Sequence, residues 1–247
     1  MTQTTHNPFF FSYNTPFDTP PFNEIKTEHY EPAFDEGIKQ LDSEVQAIAN
    51  ETQPATFENT IVALERSGKL LNKVSSAFFN VLNAEADDEM MEISQRISPK
   101  LSESSNNIFL NEKLFARVKS VYEQKDRLNL STEDAKLLEE TFESFSVRGA
   151  NLNPEDKEKY RKLSTDLSIL SLTFDQNALK DKNRYELLLT DEKDLSGLPE
   201  SIREAAAHRA KEKGKEGWLF NLTAPSYVPF MRYADSRKLR EAMYREY

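Results

Sequence analysis

Between residues 54 and 84 the apolar side chains keep a helical beat. Ile61, Leu64, Leu71, Val74, Phe78 and Leu82 follow one another at intervals of three, four or seven residues, which predicts one long amphipathic helix. Thr56 stands at its N-cap, and Glu58 falls in the first turn, where a carboxylate meets the positive end of the helix dipole. Ser67-Gly68 falls near the middle, where glycine costs about 1 kcal/mol relative to alanine. Its simplest use there is to let another helix or backbone come close. No residue in the stretch is arranged to carry out a reaction, so it reads as scaffold.

The rest of the chain follows the same pattern. There are six glycines in 247 residues, and tight turns, phosphate-cradling loops and sheet bulges all need glycine, so a helix-rich architecture is favoured. From Tyr30, the residues Phe34, Ile38, Leu41, Val45 and Ile48 form one stripe; Met90, Ile93, Ile97, Leu101 and Ile108 form another, with Pro99 able to kink it. A further helix is expected over 112–125. Ser131 and Asp134 start the next, with Ala135, Leu138, Phe142 and Phe145 buried and Gly149 ending it. Asn153-Pro154-Glu155-Asp156 is another start, and Leu163, Leu167, Leu170 and Phe174 carry that helix to about residue 179.

The texture then changes. Residues 185–190 (YELLLT) and 218–223 (WLFNLT) have the length and composition of strands. They are expected to pair around a helix over 198–213, by a crossover or as a hairpin. Residues 236–247 are helical, with Leu239, Met243 and Tyr247 on one face and no Gly, Asn or Pro after them. The predicted chain is mainly α with a small two-stranded β element. An extended arm rich in Pro and Phe (1–26), pinned by its phenylalanines, leads into a helical body (27–182). A small β element with helices (183–247) follows and runs into a helix that continues beyond residue 247.

The net charge is −10, from 42 acidic and 32 basic residues. That argues against a nucleic-acid binder, which needs a cationic footprint, and bases are interleaved with acids, as in EDKEKYRK at 155–162. Cysteine is absent, so disulfides, thiol nucleophiles and thiolate metal sites are excluded. The first 25 residues hold no Lys or Arg, nothing there reads as a signal peptide, and no run is long enough to span a membrane. A cytoplasmic location is expected.

The stretch 56–71, TFENTIVALERSGKLL, and FFNVLNA at 78–84 resemble the N-terminal region of the thimet-oligopeptidase and peptidyl-dipeptidase family of zinc metallopeptidases. Asn7-Pro8-Phe9, Phe22-Asn23-Glu24-Ile25 and Pro32-Ala33-Phe34-Asp35-Glu36-Gly37 are similar to the opening of the bacterial peptidyl-dipeptidases. The match continues in order through 110–118, Arg148-Gly149-Ala150-Asn151-Leu152, Leu195-Ser196-Gly197-Leu198-Pro199, 217–222 and 225–241. It covers nearly the whole chain. The resemblance implies a multi-helix thimet-oligopeptidase or neurolysin-like fold and a parent enzyme that hydrolyses short peptides with zinc.

In that family His-Glu-x-x-His and a more distant Glu hold the zinc. Two imidazoles at i and i+4 share one helical face, and the intervening Glu activates the bound water. The histidines here are His6, His29 and His208, no two within twenty residues. After His29 the second histidine would fall at Ala33; after His208 the motif positions hold Arg209 and Glu212. We therefore expect no catalytic and no metal residue in this chain, and its substrate-binding residues cannot be read from the sequence. The family's zinc motif lies C-terminal of everything matched, so the resemblance is to the N-terminal part without the catalytic half. It implies that the partners are that missing half and short peptides, and that these helices wall a deep channel that excludes large substrates. Whether the parent releases dipeptides or cuts internally stays open. The alternative is a stand-alone helical module that binds a peptide or protein through an amphipathic groove. A truncated enzyme should expose a sizeable apolar patch; a finished module should have a polar exterior except for one groove.

The remaining candidates have structural readings. His208 is expected in solvent or at the edge of the core, and His29 in a hydrogen-bonded helix start. Asp87-Asp88, Glu139-Glu140 and Asp191-Glu192 read as wet helix starts or faces, because adjacent helical residues diverge by about 100°. For the same reason Phe78 and Phe79 should not face one partner. No Gly-x-Ser-x-Gly elbow and no nucleotide-binding glycine pattern occurs.

Overall fold

The computed structural model describes residues 6–85 and 87–247; the first five residues of the expected arm lie outside them. The chain forms two compact units, Met1–Ser171 and Leu172–Tyr247.

The first unit opens with short 3-10 turns at Pro8–Phe10, Pro16–Asp18 and Thr27–His29. Phe9 is buried in the core, whereas Phe10, Phe11, Phe17 and Phe22 are exposed, so a single phenylalanine anchors this segment. Helix α1 follows (Tyr30–Ala49), then a π-helical turn (Phe57–Val62) that passes into α2 (Ala63–Glu65). Helices α3 (Lys69–Glu85), α4 (Asp88–Phe109), α5 (Glu112–Tyr122) and α6 (Thr132–Val147) complete the bundle. Helix α7 (Pro154–Arg184) is a single element within which the unit boundary falls.

The long helix expected over 54–84 is two helices. Thr56 does cap the first: its Oγ1 accepts from Asn59 N at 3.1 Å, and Asn59 Oδ1 accepts from Thr56 N at 2.8 Å. The break comes at Gly68, whose φ of +70 an L-residue adopts only with strain. Its N–H donates to Glu44 Oε2 at 2.7 Å. The glycine that permits close approach is instead Gly37 on α1, where an added Cβ would stand 3.0 Å from the Leu71 backbone. α1 and α3 therefore pack closely, enclosing Tyr30, Phe34, Val74 and Phe78 with Phe9 and Ile97 of the flanking elements. Phe78 and Phe79 both meet Phe34, at 5.4 Å and 6.3 Å between ring centroids. The expectation that neighbours on a helix cannot share a partner was wrong here, because one large ring spans both.

A second cluster joins Val45, Ile61, Leu114, Val118, Leu138 and Phe145. α5 ends three residues earlier than expected, and a 3-10 turn follows at Lys125–Arg127. Ser131 caps α6 by accepting from Asp134 N at 3.1 Å. Ala135 is exposed rather than buried, and Phe142 is half-buried. Gly149, with φ +91, closes α6: Ala150 N donates back to Phe145 O at 3.0 Å. Asn153 Oδ1 accepts from Asp156 N at 2.9 Å and starts α7, as its sequence indicates.

In the second unit β1 (Leu187–Leu189) and β2 (Trp218–Phe220) pair antiparallel, with Leu188 opposite Leu219. Both strands are shorter than the runs that announced them. Between them lies α8 (Glu200–Glu212), and α9 (Ala224–Tyr233) and α10 (Arg237–Glu246) follow. Sequence reading missed α9. The core here gathers Leu189, Leu195, Ala206, Phe220, Phe230 and Met243. Leu239 and Met243 face it as expected, but Tyr247 is exposed.

Candidate functional site

The side chains weighed as site candidates fall in separate local settings. His29 is buried, and its Nδ1 accepts from Lys26 N at 3.0 Å, inside the turn that leads into α1. His208 lies exposed on α8 with its Nδ1 3.4 Å from a Glu212 carboxylate oxygen. His6 stacks on Phe11. Asp87 caps α4 by accepting from Met90 N at 2.8 Å. Glu139 and Glu140 both reach Lys136, and Asp191 caps a 3-10 turn. Among the described residues no group of three or more His, Asp or Glu could hold a metal ion.

Among the described residues, four carboxylates are displaced from their ordinary range, all downward. The main cause is a hydrogen bond from Gln40 for Glu36, from the Gln53 backbone for Glu51, from Lys159 for Asp156 and from Lys213 for Glu186.

The first unit does offer a concave surface. A cleft of about 880 Å³ lies between the N-terminal segment and helices α1 and α3, with Phe10, Phe11 and Leu70 as apolar walls and Asp35, Glu36 and Lys69 at its polar edge. Lys73 holds that segment down. Its Nζ donates to the carbonyl oxygens of Phe9 at 3.1 Å and Phe11 at 2.5 Å, and stands 3.7 Å from the centre of the Tyr13 ring. Burial lowers the Lys73 pKa. The Tyr13 phenol is pushed up to about 12, first by burial and then by Tyr30. A cleft of this size and mixed lining suits a peptide-sized ligand. Sequence reading missed Lys73, because helical periodicity shows a lysine beside the Val74 stripe and nothing about the carbonyls it reaches.

A second surface lies on α7. Lys157 is buried and donates to Glu112 Oε1 at 2.9 Å. Arg161 donates to Asn107 Oδ1 at 2.8 Å, and Ser164 Oγ accepts from Asn106 Nδ2 at 2.8 Å. The helix thus meets α4 and α5 through polar side chains. Leu163, Leu167, Leu170 and Phe174, the stripe that identified the helix, are all largely exposed.

Similarity to known proteins sets these surfaces in context. The chain is 37% identical over 242 residues, 98% of its length, to the dipeptidyl carboxypeptidase of Escherichia coli. It is 36% identical over 239 residues, 96% of its length, to that of Salmonella typhimurium. To oligopeptidase A of Escherichia coli it is 31% identical over 233 residues, 94% of its length. These homologues are peptidases of the thimet-oligopeptidase family. No family model matches the chain. The alignments take in 36%, 35% and 34% of these three relatives, so the chain spans about a third of the length of the thimet-oligopeptidase relatives it matches.

The zinc that this family implies does not fit the residues present. The buried histidine spends Nδ1 on a backbone amide, and the exposed one has a single carboxylate beside it. Zinc takes three or four such donors converging on one point. Among the described residues no helix is long and apolar enough to cross a membrane.

Proposed function

We propose that this chain is the N-terminal, non-catalytic part of a cytoplasmic zinc peptidase that hydrolyses short peptides, and that its helices form one wall of the substrate channel. The observation that carries the reading is the alignment: nearly all of this chain matches peptidases that are about three times as long. With no His-Glu-x-x-His in these 247 residues, the metal and the water it activates would be supplied by the remaining part. This chain would contribute exclusion and positioning, holding a short peptide in reach and keeping folded chains out. The exposed leucines of α7, lying on an open helix face, are the apolar surface expected of part of a larger protein.

The test compares the 247-residue chain with the longer protein read from the same gene, on short fluorogenic peptides with and without a chelator. Hydrolysis by the longer protein alone, abolished by the chelator, is expected. Hydrolysis by the 247-residue chain itself would overturn the reading. So would a gene that stops near residue 247, which favours the stand-alone binding module.

A further inference from the structure

A helix on the surface of a body in water ordinarily turns its charges outward and its leucines inward. Over residues 157–170, α7 instead buries a lysine and turns its leucines outward alongside its other charges. Lys157, at 8% exposure, Arg161 and Ser164 make its bonds to Glu112, Asn107 and Asn106. Leu163, Leu167 and Leu170 are 67%, 64% and 65% exposed. At 3.6 residues per turn the three polar residues lie within about 60° of one another, and the three leucines form a line about 120° away. Placing a lysine inside and three leucines outside makes sense only if the leucine face is covered in the complete molecule.

We propose that the Leu163–Leu167–Leu170 face is an interface with the part of the polypeptide that lies beyond these 247 residues. This rests on the reading of the chain as part of a longer peptidase. The relatives supply the occupant: the chain spans 36% of the dipeptidyl carboxypeptidase it matches, which leaves well over half of such a protein to cover surface on this third. The charges beside the leucines favour a protein surface over an ionic ligand, because exposed Lys162 and Asp166 are of opposite sign. Three leucines one turn apart are also the pattern by which one helix seats in another's groove.

The absence of cysteine provides the test. Leu167→Cys and, independently, Leu163→Cys are introduced into the longer protein. The control is Glu158→Cys, at a side chain 79% exposed. Maleimide modification at each position is followed by peptide mass spectrometry. In the longer protein, thiols at 163 and 167 should react at least about tenfold more slowly than the one at 158, as expected for a site opened only by local unfolding. In the 247-residue chain all three should react at similar rates. Equal reactivity in the longer protein overturns the interface. Protection within the 247-residue chain that grows with its concentration assigns the face to a second copy and overturns it too, as does a gene that ends near residue 247. Peptidase activity is read separately. A longer protein that cleaves peptides yet labels freely at 163 and 167 sinks the interface and leaves the proposed function standing. Protection without peptidase activity does the opposite.

Discussion

Gly37 lies directly against the backbone of Leu71: a Cβ at position 37 would stand 3.0 Å from both the Cα and the N of Leu71. The two atoms belong to α3 and cannot turn aside as a side-chain tip would. Gly37→Ala would gain helix propensity on α1, about 1 kcal/mol, but it must push two tightly packed helices apart, which costs about 1–3 kcal/mol. The expected outcome is a net loss of roughly 1 kcal/mol in urea unfolding of the first unit. An unchanged or raised midpoint would show that the helices separate freely.

How far the sequence anticipated this arrangement depends on whether the cause is local. Caps and periods are local, so Thr56, Ser131 and Asn153 mark helix starts correctly, and the stripes of α1 and α4 face the core. Burial is not local. The α7 stripe identifies a helix, yet nothing in its spacing says that Lys157 faces inward while Leu163 faces out. Helix α9 carries Pro225 and Pro229, residues that ordinarily interrupt a helix. Pro225 falls in the first turn, where no amide partner is lost, and Pro229 forfeits one bond in a helix that Phe230 ties into the core. Between Gly37 and Gly68, the sequence offers no means of telling which one approaches a backbone and which one turns it.

Arg117 joins the loop after α1 to the π-helical turn. Its two terminal nitrogens donate to Glu51 O at 2.9 Å, Gln53 O at 3.0 Å, Asn59 Oδ1 at 2.9 Å and Thr60 Oγ1 at 3.3 Å. A lysine carries a point charge and cannot span acceptors laid out for a planar fork. Arg117→Lys should cost about 2 kcal/mol, since stranded carbonyls lose their partners. It should also raise hydrogen exchange in the loop at residues 50–56 before the rest of the unit. A stability within error of the parent would mean that water replaces those bonds.

Zinc should leave the melting temperature of the 247-residue chain unchanged. A ligand stabilises only by binding the folded state better than the unfolded one, and His29, which spends Nδ1 on a backbone amide, and His208, which has one carboxylate beside it, do not converge with other donors on one point. A thermal-shift titration measures this. A rise with zinc that disappears in His29→Ala or His208→Ala would place a metal site where the side-chain geometry allows none.

Tyr13 carries a buried hydroxyl with no hydrogen-bond partner, under the Lys73 ammonium. Tyr13→Phe keeps the ring for that cation and deletes the stranded group, so it should be neutral or stabilising by about 1 kcal/mol at pH 7. The pH dependence follows from the phenol's displacement from 10.0 to about 12. Below pH 10 both folded and unfolded chains hold the proton, and the group makes no slope. Between pH 10 and about 12 the unfolded chain gives it up while the folded chain keeps it. The unfolded state then binds fewer protons, and stability falls as pH rises. The Phe variant should lose less stability over that window, measured by urea unfolding at pH 9 and pH 11 or so. Equal losses in the two proteins would mean that Tyr13 ionises in the folded state as easily as in water, and that the segment Lys73 holds down lifts away.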